Sequence, residues 1–396
     1  MSSKLNLRML KTSDVPASVL EKRWPKARRH DPELENYVKA IIEEVRRRGD
    51  AALADFTAKL DGVSLQPSRL RVSPEDVDNA YRKVGEEQIA AIKYAKDRVA
   101  KFQKNLLKRS DFEYRFEGVK IRSCAAPLRR VGCYVPGGRA AYPSSLVMTI
   151  VPAKVAGVQQ VVVCSPPREE GEINPLILVA ADVCGVDEIY RVGGVQAIAA
   201  LAYGTETIQP ADKLFGPGNK YVLAAKMLVS HDVPIDIPAG PSEIVILADR
   251  SAQVRAVALD MISQAEHMDG VSVLITPSRR LGQAVASELE RMASSLPNRE
   301  IVVPNLSENG LVLLAKDLEE AIGFVNDFAP EHVEVMVRDA WRVAERITSA
   351  GLVLVGRHSP VSASDYCLGT VHILPTKGFS QVYSGLSVLD FIKRYN

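Results

Sequence analysis

Between Pro32 and Leu60 the apolar residues Leu34, Val38, Ile41, Ile42, Val45, Leu53 and Phe56 recur at helical spacings, which gathers them on one face of a helix. Asp61-Gly62 closes that run, because glycine readily stops a helix. A second helix is predicted from Ser73-Pro74-Glu75-Asp76 to about Leu107, with Ser73 as cap, Pro74 at the first helical position and Asp76 placed for a capping box. Beyond Pro127 the period changes. Short β-branched runs, VVVC at 161–164, EIYRV at 188–192, EIVILAD at 243–249, VSVLIT at 271–276, HVEVMV at 332–337 and GLVLV at 351–355, alternate with helix-length segments. Nearly continuous apolar strands separated by helices mark parallel sheets covered on both faces. The fold class expected is therefore α/β: two Rossmann-like α/β domains with mostly parallel sheets after an N-terminal helical region. The proline- and glycine-dense stretch Val233–Pro241 reads as a crossing between domains. The expected division is 1–126 for the helical region and a lead-in strand, 127–238 and 239–378 for the two α/β domains, and 379–396 for a short tail. No internal repeat or low-complexity tract interrupts it.

Composition narrows the class without naming a chemistry. With 396 residues, 46% hydrophobic and 25% charged, the chain is long and apolar enough for two or three domain-sized cores. A net charge of +2 gives no footprint for nucleic acid or an anionic membrane, and the basic run Lys22–His30 is local. Five cysteines without a CxxC pair argue against a disulfide framework and for a reducing compartment. The first residues contain no uninterrupted apolar core of a leader, and no stretch reaches the roughly eighteen apolar residues of a spanning helix. A cytoplasmic protein is expected.

The chemistry-bearing residues lie in the second half. In ISQAEHMDG (Ile262–Gly270), Gln264 and His267 stand three residues apart, so in a helix they share a face and point one oxygen and one nitrogen at the same ion. Glu331-His332, Asp365 and His372 add proton-transfer or metal-ligand types inside apolar stretches. Taken alone, Gln264 and His267 read as a polar helix face and His372 as a core histidine. Glycine loops occur at Pro136-Gly137-Gly138, Gly193-Gly194 and Gly216-Pro217-Gly218-Asn219, but no strand is followed by GxGxxG. Blind, such loops are turns more often than nucleotide sites.

The run VGCYVPGGRAAYPSSLVMTIVPAKVAG (131–157), followed by GGVQAIAALAYGTETI (193–208), GPGNKYV (216–222), AGPSE (239–243), SQAEH (263–267), APEHVEVM (329–336) and SDYCLGTVHILPT (364–376), closely resembles the histidinol dehydrogenase family. The blocks keep the family's order and cover roughly Arg122 to Ile392. The resemblance implies NAD-dependent oxidation of L-histidinol through L-histidinal to L-histidine by a cytoplasmic homodimer holding one Zn²⁺ per subunit. It places Glu331 and His332 as the catalytic pair, His332 taking the hydroxyl proton and Glu331 activating water. Gln264, His267 and Asp365 match zinc ligands, a mixture of amide, imidazole and carboxylate that zinc tolerates. Ser242 and His372 match substrate-contacting positions, joined there by Gln264, His267, His332 and Asp365, while Tyr134, Gln196 and Asn219 match NAD contacts. Because neighbours on an extended segment point to opposite faces, a shared role for Glu331 and His332 requires irregular backbone there, or action through water.

Some features depart from the pattern. The family's usual C-terminal segment supplies a substrate-contacting glutamate and a zinc-binding histidine, whereas the residues from Thr376 to Asn396 contain no histidine. Either water or a substitute ligand takes that coordination place, with His231, His358 and the distant His30 as the unassigned histidines, or the metal is weaker or absent. Met268-Asp269-Gly270, Cys367 and Thr370 also differ; Cys367 reads as a packing residue, since water activation by Glu331 makes a thioester unnecessary. A zinc-dependent polyol dehydrogenase with another substrate and a non-catalytic ligand-binding paralogue stand as alternatives. Turnover of histidinol with and without chelator separates the three.

Overall fold

The computed structural model describes residues 5–16, 19, 31–137, 141–168, 170–237, 240–267, 269–293 and 295–396. The basic run Lys22–His30, Gly138 and Met268 lie outside the described residues. The chain forms two compact units: Met1–Arg29 with Ile237–Ser364 and Leu374–Gly385, and His30–Asp236 with Asp365–Ile373 and Leu386–Asn396.

The first unit is built on a parallel six-stranded sheet of order β1-β10-β9-β8-β11-β12. Its strands are β1 (Arg8–Lys11), β8 (Glu243–Ala248), β9 (Val271–Thr276), β10 (Gly310–Leu314), β11 (His332–Met336) and β12 (Leu352–Val355). Alternate residues feed two separate cores. Ile244, Ile246, Leu274 and Val312 pack with Val257, Met261, Val285 and Leu289 of the helices Val254–Ala265 and Arg279–Ala293. Val245, Leu247, Val273, Leu313, Val333 and Val335 pack with Ile322, Val325 and Phe328 of the helix Leu318–Phe328. That two-sided burial is what the continuous apolar runs require.

Glu334 interrupts this apolar surface beside Asp260 and is 1% exposed. Burial, reinforced by the Asp260 charge, holds the Glu334 carboxyl well above the usual carboxylate range, and burial pushes Asp260 up to about 6. Glu334 Oε1 accepts from Val361 N at 2.8 Å. Carboxyls whose pKa rises on folding contribute stability that is full below their unfolded pKa, near 4, and is lost as pH climbs through the folded value. The wild-type melting temperature should therefore fall from about pH 5 to pH 8. Asp260→Asn should flatten that fall and stabilise the protein at pH 8 by roughly 1–2 kcal/mol, after allowance for partial solvent screening. Equal pH dependence in wild type and variant would contradict the upward shift of Asp260.

The second unit holds a parallel sheet of order β6-β5-β4-β7, with β4 (Arg130–Tyr134), β5 (Gln160–Ser165), β6 (Glu188–Arg191) and β7 (Lys213–Phe215). An antiparallel sheet of β2 (Phe112–Phe116), β3 (Val119–Pro127) and β13 (Ile392–Tyr395) accompanies it in the order β13-β3-β2. The N-terminal helices cover the four-stranded sheet: Val38, Ile41, Ile42, Val45 and Leu53 share a core with Val162, Cys164, Tyr190, Ile198, Leu201, Leu214 and Val222. All five cysteines are free.

Two helices expected to be continuous are broken. The first runs Pro32–Arg48, turns at Gly49 with φ 53°, and resumes as Asp50–Phe56 with a π-turn Thr57–Asp61. The break has a tertiary cause, since the Glu206 carboxylate accepts from Asp50 N at 2.7 Å and occupies the space where a side chain on residue 49 would stand. The second runs Pro74–Tyr81 and Glu86–Leu107, restarting at an extended Gly85 whose N–H donates to Gln88 Oε1. The capping box forms as expected, Ser73 Oγ accepting from Asp76 N at 3.2 Å and Asp76 Oδ2 from Ser73 N at 2.7 Å.

Candidate active site

In the six-stranded unit the candidate residues gather at the amino ends of β8 and β11. Ala329 adopts φ 46° and ψ 63°, a left-handed conformation rare for a residue with a Cβ, and Pro330 follows. This kink delivers Glu331 one residue ahead of the strand that His332 begins, supplying the irregular backbone that lets adjacent side chains meet. Glu331 is 6% and His332 3% exposed. One oxygen of Glu331, Oε2, accepts from Ser242 Oγ at 2.7 Å and from Glu243 N at 2.9 Å, and lies 3.5 Å from His332 Nδ1. His332 Nδ1 is 3.2 Å from the Glu243 carbonyl oxygen. A carbonyl can only accept, so this contact favours the tautomer with hydrogen on Nδ1 and leaves Nε2 as the basic atom.

Gln264 lies in the last turn of the helix Val254–Ala265 and is 4% exposed, with Oε1 3.5 Å from Ser242 Oγ. Its Nε2 is buried without a partner among the described residues. Turning the carboxamide over presents the NH₂ to Ser242 and leaves the oxygen as the unsatisfied end, which fits an amide oxygen held for a cation. His267 is exposed and lies beyond the helix, which ends at Ala265. The regular helix that would set it on one face with Gln264 stops short of it. Instead its N–H reaches back to Gln264 O at 3.3 Å and its own carbonyl accepts from Gly270 N. Gly270 is required there, because a Cβ would stand 2.6 Å from Gln264 O. Among the described residues no three His, Cys, Asp or Glu side chains form a cation cluster.

Glu243, which sequence alone did not single out, is 3% exposed and ties this corner together. Its Oε1 accepts from Lys377 N at 3.1 Å, Thr376 Oγ1 accepts from Gly240 N at 2.6 Å, and Ser380 Oγ donates to Pro330 O at 2.9 Å. The segment 376–380 therefore braces both the Ser242 loop and the loop carrying Glu331. The signal available was its place directly after Ser242.

Asp365 and His372 belong to the other unit. His372 Nδ1 is 3.1 Å from the Asp365 carbonyl oxygen and 4.0 Å from its carboxylate, and Nε2 is 3.2 Å from Ser145 Oγ. His231 and His358 are both exposed.

The glycine loops of that unit follow the carboxyl ends of β4, β6 and β7. Tyr134 is 5% exposed, its hydroxyl accepts from Gly194 N at 3.4 Å, and burial pushes it up to about 12. Gln196 is fully buried, and neither atom of its amide has a partner among the described residues. Gly216, at φ 113°, approaches so closely that a Cβ would stand 2.0 Å from Tyr134 O. A buried Lys226–Asp236 ion pair grips this turn, Lys226 Nζ donating to Gly216 O at 2.9 Å and Asp236 Oδ2 accepting from Gly216 N at 2.7 Å. Asn219 caps the helix Lys220–Val229, its Oδ1 accepting from Tyr221 N and Val222 N, so only its amide nitrogen is left to face a ligand.

The family model described as histidinol dehydrogenase matches residues 25–396. The histidinol dehydrogenase of Methanosarcina mazei is 45% identical over 358 residues, 90% of this chain and 82% of that protein. The one from Archaeoglobus fulgidus is 44% identical over 359 residues, 90% of this chain and 85% of that protein. A crystal structure of histidinol dehydrogenase from Elizabethkingia anophelis superposes with a TM-score of 0.91 at 36% identity, over 99% of this chain and 89% of that one. With a family match over nearly its whole length, the chain belongs to the histidinol dehydrogenase family.

Proposed function

We propose that this enzyme oxidises L-histidinol to L-histidine through L-histidinal, the last steps of histidine biosynthesis, with two NAD⁺ used in succession and one Zn²⁺ per subunit. The observation that carries the reading is the buried Glu331-His332 pair, clamped by Ser242 and Glu243 and beside the unsatisfied amide of Gln264. Bound NAD⁺ supplies the hydride acceptor and bound zinc a fixed point that positions the substrate.

The protein's own groups handle the protons. His332 Nε2 takes the hydroxyl proton as the alcohol carbon loses its hydride, giving the aldehyde. Water then adds to the aldehyde carbon. Glu331 takes the proton from that water while protonated His332 returns its proton to the former carbonyl oxygen, which completes the hydrate and restores Nε2 as a base; the clamped Oε2 of Glu331 keeps the carboxylate aimed while its other oxygen acts. His332 accepts the hydroxyl proton of the hydrate in the second oxidation, which ends at the carboxylate. Gln264, His267 and Asp365 would hold the metal, and Ser242 and His372 would contact substrate. Tyr134, Gln196 and Asn219 would line the cofactor site, where the unsatisfied Gln196 amide fits a polar ligand.

The enzyme would work in the cytoplasm as a homodimer. No helix among the described residues is long and apolar enough to cross a membrane. Phe112, Tyr114 and Phe116 are exposed on one face of β2, an apolar surface of the kind a subunit contact covers. Substrate identity is tested by NADH formation with L-histidinol against other amino alcohols and polyols. Turnover of L-histidinol above all of these is expected. Preference for another polyol would overturn the assignment.

A further inference from the structure

Asp61, outside every loop considered so far, closes the π-turn Thr57–Asp61, and Gly62 at φ 73° turns the chain away from it. One carboxylate oxygen, Oδ2, is buried without a partner among the described residues, and burial pushes the group up to about 6. The other, Oδ1, lies 3.3 Å from the point where a Cβ on Gly193 would stand. Pro166 Cβ lies 2.6 Å from that same point, so Asp61 sits where the chain leaves β5 and β6. Two more unsatisfied groups occupy this end of the sheet: Ser165 Oγ at the end of β5 and both amide atoms of Gln196, each in a side chain with no exposure. Leaving buried polar groups without partners is unfavourable. Their concentration at the carboxyl ends of β5 and β6 therefore marks a place that a polar ligand completes.

The topology says which part of a ligand belongs there. In the order β6-β5-β4-β7 the chain's direction of travel across the sheet reverses between β4 and β7. A dinucleotide lying across such a switch point places its adenosine half over the strands that follow the first, here β5 and β6. A carboxylate at that position accepts both hydroxyls of a ribose and repels a 2′-phosphate.

We propose that Asp61 binds the adenosine ribose diol of the dinucleotide and sets the preference for NAD⁺ over NADP⁺. The inference rests on the cofactor site proposed above. It is tested by titrating full-length wild type, Asp61→Asn and Asp61→Ser with NADH, NADPH and ADP-ribose, with thermal melts to establish that each is folded. Wild type should bind NADH and ADP-ribose and bind NADPH at least about tenfold more weakly. Either variant should lose roughly tenfold in affinity for NADH and ADP-ribose, as loss of a charged hydrogen bond predicts, while NADPH is unchanged or tighter. Unaltered NADH affinity in a folded variant would overturn the role of Asp61. Equal losses for NADH and NADPH would overturn the contact with the 2′-hydroxyl. Absence of dinucleotide binding by wild type itself would defeat the cofactor site, and this inference with it.

Discussion

Replacing His332 by Asn should lower kcat for both oxidations by on the order of 10²- to 10⁴-fold, the usual loss when a general base is removed. The side-chain amide of Asn can still donate toward the Glu243 carbonyl, so the variant should fold. It has no basic nitrogen to replace Nε2. Glu331→Gln should divide the two steps differently. An amide oxygen can still accept from Ser242 Oγ and Glu243 N, which hold Glu331 at 2.7 and 2.9 Å, so the loop is preserved while the proton acceptor is gone. Oxidation of histidinal should then fall by about a hundredfold or more, and oxidation of histidinol much less. Supplying the two compounds separately and measuring NADH formation resolves the steps. Unchanged histidinal oxidation in Glu331→Gln would show that another group activates water.

The second large effect concerns metal. His267→Ala and Gln264→Ala should abolish stoichiometric zinc in the purified protein, measured by atomic absorption. His358→Ala and His231→Ala should retain it, since neither is among the residues proposed to hold the metal. If substrate nitrogens complete the coordination shell, L-histidinol should slow removal of zinc by a chelator, because the coupling between two ligands is reciprocal. Zinc loss in either control variant without unfolding would place an unforeseen histidine in the shell.

Much of this architecture is legible in the chain because parallel strands buried on both faces leave uninterrupted apolar runs. The six strands read that way, β5, β6, β8, β9, β11 and β12, appear within a residue or two of their expected bounds. The strands β1, β2, β3, β4, β7, β10 and β13 escaped. In β2, Phe112, Tyr114 and Phe116 alternate with charged residues yet remain exposed, and β1 and β13 are each only four residues long. The helix breaks depended on distant partners: nothing near Gly49 in sequence announces that Glu206 will take the space beside it. The same holds at the site. The spacing of Gln264 and His267 implied a shared helical face, but the helix ends between them, and the reach of His267 is set by the turn through Asp269 and Gly270. Irregular backbone before His332, or action through water, was expected once the resemblance gave Glu331 and His332 a shared role, whereas the location of the kink at Ala329 was not. Asp61 resembled any aspartate before a turn glycine until its unsatisfied oxygen and nearness to Gly193 set it apart.

One enzyme must carry both oxidations through to the acid. The most direct measurement is a limiting-substrate assay with excess NAD⁺, counting NADH formed and separating the products by chromatography. Two NADH per L-histidinol, with L-histidine as the product and no accumulated aldehyde, is the expected result. One NADH per L-histidinol with histidinal released would contradict it.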